Sequence, residues 1–146
     1  MTIRKKVYAY CMTELKDIMD AAEKAAQNSY SPYSHFRVGA AILCADGEIV
    51  TGTNIENRSY GLTNCAERSA LFAAISKGKT RFVALALFCP DAEEPVPPCG
   101  ACRQVLSEFV PPDFPIFFAA KDRRYREVKM KDLLPFDSLH ELKERK

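Results

Sequence analysis

The sequence holds 146 residues, 47% of them hydrophobic and 27% charged, with 21 basic against 19 acidic side chains and a formal net charge of +2. That make-up predicts one folded domain over residues 1–146 with its own core, not a disordered or fibrous chain. The charge is too even to argue for nucleic acid or an anionic membrane, and the longest apolar run, Phe82–Cys89, falls well short of the ~18 residues of a membrane span. Arg4, Lys5 and Lys6 near the start are not followed by an apolar stretch, so no secretory leader is expected. The expected setting is the cytoplasm, with the six cysteines as reduced thiols.

Apolar residues from Cys11 through Leu15, Ile18, Met19, Ala22, Ala25 and Ala26 recur at helical spacing and predict a first helix from about Tyr8 to Asn28. Pro32 and its serine neighbours break it. Val38–Cys44, the Asp46-Gly47 turn signal and Glu48–Thr53 read as a strand, a turn and a strand. Cys65–Lys77 reads as a helix stopped by Gly78. The continuous apolar run Arg81–Cys89 suits a buried strand. A proline-rich loop, Asp91–Pro98, leads into a third helix, Cys99–Phe109. Pro115–Ala120 and Tyr125–Val128 complete five strands, and Val128–Leu134 and Ser138–Lys146 read as short terminal helices whose charged end, Glu141–Lys146, is expected to fray. Strands alternating with helices predict an α/β domain, three layers α/β/α around a central mixed sheet of about five strands.

Three cysteines are placed unlike the others. Cys65 opens the second helix, and Cys99 and Cys102 open the third on one face of its first turn. Cys11, Cys44 and Cys89 sit inside apolar elements and are expected to act as small buried hydrophobes. Thiolates spaced this way bind zinc, and three ligands without a fourth describe a catalytic ion with an open position. Glu67 lies two residues after Cys65, where a carboxylate can relay a proton. Arg68 can donate to the sulfurs and offset their charge, as can the positive ends of both helix dipoles. Each residue alone has an ordinary explanation: a redox dithiol for the Cys-x-x-Cys pair, a helix-capping carboxylate for Glu67, a surface cation for Arg68. Their joint placement carries the signal.

Taken together, Ser31–Phe36, Val38–Ala41, Asn54–Asn57, Asn64–Arg68, Pro98–Gln104 and Leu133–Pro135 resemble the small, homotetrameric, three-cysteine cytidine deaminases over almost the whole chain from the first helix onward. The resemblance implies one zinc per chain on Cys65, Cys99 and Cys102, with Glu67 as the proton shuttle while zinc-bound hydroxide attacks the amino-bearing carbon of cytidine or 2′-deoxycytidine. It implies Phe36 and Ala66 at the pyrimidine, Asn54 and Glu56 at the ribose, Tyr60 toward a neighbouring subunit's site, and Arg68 and Gln104 beside the sulfurs. Outside that pattern, Phe36, Asn54, Glu56 and Tyr60 read as core, strand-end or surface residues. The partner implied is a small nucleoside, with no nucleic acid or membrane. Arg37, Arg58 and Pro97-Pro98 depart from the family pattern, and Phe136 is the candidate for an aromatic reaching another subunit.

Rival readings are a blasticidin S deaminase, a nucleic-acid-binding or editing protein using the basic Lys121–Lys131 stretch, and a structural zinc module. The Asn54–Glu56 segment disfavours the first, Asp122 and Glu127 dilute the charge of the second, and the missing fourth ligand weakens the third.

Overall fold

The computed structural model describes residues 12–138 and 140–143. Cys11, the start of the expected first helix and the last three residues of the charged tail lie outside them.

A helix, α1 (Met12–Ala26), leads into β1 (Gly39–Cys44) and β2 (Ile49–Thr53), which pair antiparallel across the Asp46-Gly47 turn. Gly47 has a φ of +90°, which its missing Cβ tolerates. A short 3-10 turn, Tyr60–Leu62, precedes α2 (Ala66–Ser76) and β3 (Phe82–Phe88); α3 (Gly100–Phe109), β4 (Pro115–Ala119) and β5 (Tyr125–Lys129) follow. The short α4 (Met130–Leu133) and α5 (His140–Lys143) come last. The strands form the five-stranded mixed sheet expected from the chain pattern, and their order is β2-β1-β3-β4-β5.

Side chains alternate across each strand, so the sheet serves two cores. Ala41, Leu43, Ala84, Ala86, Phe88, Phe117 and Ala119 face α1. Ala40, Ile42, Leu85, Leu87, Ile116 and Phe118 pack with α2 and α3 on the other side. Each large apolar side chain buried this way contributes about 1.5–3 kcal/mol. The three-layer arrangement follows.

Two glycines set how closely the layers approach. A Cβ on Gly39 would lie 1.9 Å from the Ala22 carbonyl oxygen of α1, and one on Gly52 would lie 2.2 Å from the Ala70 nitrogen of α2. Helix backbone therefore rests directly on strand backbone at both positions.

Strand direction then fixes where the site must lie. Since β2 and β3 are both antiparallel to β1, they run the same way, and β4 is parallel to β3. The segments carrying α2 and α3 are successive crossovers packed on one face. Both helices begin at the same end of the sheet, beyond the carboxyl ends of the parallel strands, where open α/β sheets place their ligands.

Candidate active site

Cys65 and Cys99 are the N-cap residues of α2 and α3, each in extended conformation just before its helix. Their sulfurs are 3.7 Å apart, and Cys102, buried on the first turn of α3, brings a third; all lie within 4.8 Å of one another. Thiolates ~2.3 Å from one tetrahedral zinc would be about 3.8 Å apart, so the spacing fits such an ion. Among the described residues, these cysteines are the one group of His, Cys, Asp and Glu side chains close enough to hold a metal. Cys44 and Cys89 are buried in strand and strand-end positions, as small hydrophobes are expected to be.

Electrostatics tie the cluster together. Arg68 donates through Nη2 to Cys65 Sγ at 3.4 Å. The Cys102 sulfur, then Arg68, hold the Cys65 thiol well below its ordinary range. Cys102 is pushed up, first by Cys65 and then by burial. Glu67 is only 5% exposed. Burial pushes its carboxyl up to about 7, and the negative charge on Cys65 adds to the effect.

The other expected site residues have partners of their own. Ala66 is fully buried at the start of α2. Asn54 latches the segment before β1: Nδ2 donates to the Phe36 carbonyl at 2.8 Å, and Oδ1 accepts from Val38 N at 2.9 Å. Glu56 Oε2 accepts from the backbone nitrogens of Tyr33 and Ser34 at 2.9 and 3.2 Å, and Oε1 from the Ser34 hydroxyl. These partners hold its carboxyl below the usual range, the Ser34 hydroxyl foremost. Glu56, Tyr33, Ser34, Tyr60 and Thr63 line a recess of about 290 Å³. Tyr60 meets Tyr33 edge-on, ring centroids 5.7 Å apart, and is 74% exposed. Gln104 instead donates to Ser107 Oγ at 3.4 Å. It sits two residues past Cys102, about 200° round the helix, which directs it elsewhere. Phe136 is 92% exposed.

Sequence reasoning missed Arg103, which donates from Nε to the Pro98 carbonyl at 2.7 Å and from Nη1 to the Leu133 carbonyl at 3.2 Å. It thereby fixes the backbone entering Cys99. Nothing local signals a partner 30 residues away. The basic stretch near β5 is largely paired with acids: Lys121 with Glu93, Arg123 with Asp20 and Glu23, Arg124 with Asp122 and Glu94, and Lys129 and Lys131 with Asp113. No helix among the described residues is long and apolar enough to cross a membrane.

Comparison with known proteins agrees with the geometry. Residues 12–117 match the family model for the cytidine and deoxycytidylate deaminase zinc-binding region. The chain is 48% identical over 118 residues to a cytidine deaminase of Halalkalibacterium halodurans, covering 81% of this chain and 89% of that one. It is 45% identical over 122 residues to one from Sporosarcina psychrophila, covering 84% and 89%. The crystal structure of a cytidine deaminase from Burkholderia pseudomallei superposes with a TM-score of 0.80 at 41% identity, over 84% of this chain and 97% of the other. With its sulfur triad at two adjoining helix tips and this likeness along most of its length, the chain belongs to the zinc-binding cytidine and deoxycytidylate deaminase family.

Proposed function

We propose that this protein hydrolyses the exocyclic amine of free cytidine and 2′-deoxycytidine, giving uridine and 2′-deoxyuridine with release of ammonia. The observation that carries the reading is the convergence of three thiols at two helix tips with a buried glutamate two residues after the first of them. Cys65, Cys99 and Cys102 would hold one zinc per chain, and the ion would supply an acidified water as the nucleophile. Arg68, bonded to the Cys65 sulfur, offsets the thiolate charge that would weaken that acidification.

Glu67 moves the protons. Its carboxylate takes one from the attacking water and gives it to the ring nitrogen beside the amino-bearing carbon. Once the tetrahedral adduct has formed on the pyrimidine, Glu67 takes the proton of its new hydroxyl and passes it to the amine, which leaves as ammonia while that oxygen becomes the carbonyl of the uracil ring. Its burial keeps bulk water from competing for these transfers. Phe36 and the Ala66 backbone border the pyrimidine. Asn54 retains an amide hydrogen and Glu56 retains acceptor capacity for ribose hydroxyls after their bonds to the Tyr33–Val38 segment. Gln104 bonds Ser107 and has no part in the reaction.

The active unit is a homotetramer of one-domain chains spanning 1–146, working in the cytoplasm. Tyr60 and Leu62, 74% and 72% exposed beside the recess, give it apolar surface for subunit contact, with Tyr60 directed to a neighbour's site. The five cysteines among the described residues are free thiols, which suits a reducing compartment. Sedimentation at four times the 16.4 kDa chain mass checks the assembly.

The reading is tested by loss of cytidine ultraviolet absorbance with purified protein. Turnover on cytidine that stops with a zinc chelator and returns with zinc is expected. Turnover on blasticidin S without turnover on cytidine would contradict it.

A further inference from the structure

The peptide unit joining Phe36 to Arg37 is held from both sides. Its carbonyl, from Phe36, accepts from Asn54 Nδ2 at 2.8 Å. Its N–H, from Arg37, donates to Asp91 Oδ2 at 2.8 Å. A peptide is planar, so fixing both of its polar groups fixes the plane and the direction in which Phe36 leaves it. The same Asp91 carboxylate accepts from Arg37 Nε at 3.0 Å and from Nη2 at 2.7 Å, a two-pronged pair that orients the carboxylate itself. The side chains are 40% and 27% exposed.

Asp91 opens the proline-containing loop that ends at Cys99. That loop is fastened at its far end too, where Arg103 holds the Pro98 carbonyl at 2.7 Å. The Arg37–Asp91 pair therefore spans from the segment carrying Phe36 to the loop delivering a sulfur. Its members are 54 residues apart in sequence.

We propose that Arg37 and Asp91 form a positioning strap that sets Phe36 relative to the Cys99 loop, and so sets how tightly a pyrimidine nucleoside is held without touching the chemistry. The part concerning the nucleoside rests on the function proposed above. Removing the strap leaves the Phe36–Arg37 peptide held by Asn54 alone, so its plane is no longer fixed. Zinc stays, because every sulfur keeps its helix tip.

The test uses the zinc-loaded protein and three variants: Asp91→Ala, Arg37→Ala and Arg37→Lys. Asp91→Ala removes all the bonds of the strap and is expected to raise KM for cytidine about tenfold. Arg37→Ala leaves the backbone N–H on Asp91 and is expected to raise it about threefold, with Arg37→Lys between Arg37→Ala and wild type. In all of them kcat stays within about twofold and zinc per chain is unchanged. Hydrogen exchange supplies a readout independent of turnover: the Arg37 amide exchanges faster in Asp91→Ala, while amides of β1 do not change. Unaltered Arg37 exchange with unaltered KM overturns the strap, as does a fall in kcat accompanied by zinc loss. If Asp91→Ala fails to fold, Arg37→Ala carries the same test through KM. If wild type does not turn over cytidine while the Arg37 amide still responds, the function reading fails and the strap stands.

Discussion

The two ends of α2 use similar residues to opposite effect. At its start, Glu67 is 5% exposed, and burial drives its carboxyl up to about 7. Just past its end, Lys77 and Lys79 pair with Glu48 at 2.7 and 2.6 Å, and Lys79 also meets Asp46 at 2.6 Å. There the carboxyls are held below their ordinary values, Glu48 first by Lys77 and Asp46 first by Lys79. Pairing in solvent makes a carboxylate easier to ionise and contributes little, whereas burial beside sulfur makes the proton hard to remove and available for transfer. The lesson is that location relative to the sheet end, not residue type, separates the chemical end of the helix from the solvated end.

The largest effect should come from the buried end. Glu67→Gln keeps shape and metal but removes the proton carrier, and kcat on cytidine should fall about a thousandfold with zinc per chain unchanged. Replacing Cys99 by Ala should abolish zinc retention along with activity and lower the thermal midpoint by about 10 °C or more. Gly52→Ala probes how α2 is seated, since its Cβ would meet the Ala70 nitrogen at 2.2 Å. A loss of about 1–3 kcal/mol in denaturant unfolding is expected, with reduced turnover as the Cys65 tip shifts.

The solvated end should respond least. Lys79→Ala should move the thermal midpoint by about 1 °C or less at neutral pH. Because the folded-state carboxyls of Asp46 and Glu48 are depressed, their contribution is present above the unfolded values and is lost as pH falls through the folded ones. The variant and wild type should therefore converge in acid. A gap between them that widens on acidification would contradict that sign.

Much of this contrast was legible in the chain. Helical spacing and turn residues located the strands and helices, with ends differing by a residue or two: the helix expected from Cys65 begins at Ala66, because Cys65 is its extended cap. The sulfur triad was visible because each cysteine stood at the start of a helix. What could not be read was tertiary. Asn54 binds the backbone of residues 36 and 38, Asp91 binds Arg37, and Arg103 binds Leu133. None of these partners leaves a periodic or local trace. The direction of Gln104 depended on its angle round α3, which its motif position alone does not reveal. Gly52 was unremarkable until α2 was seen resting on it.

The central claim is that Cys65, Cys99 and Cys102 hold one ion and leave a position open beside Glu67. X-ray absorption at the zinc edge of the purified protein tests it most directly. One zinc per chain with three sulfurs at ~2.3 Å and a single water-type oxygen is expected. A fourth sulfur, the scattering signature of a histidine ring, or no zinc at all in fully active protein would contradict it.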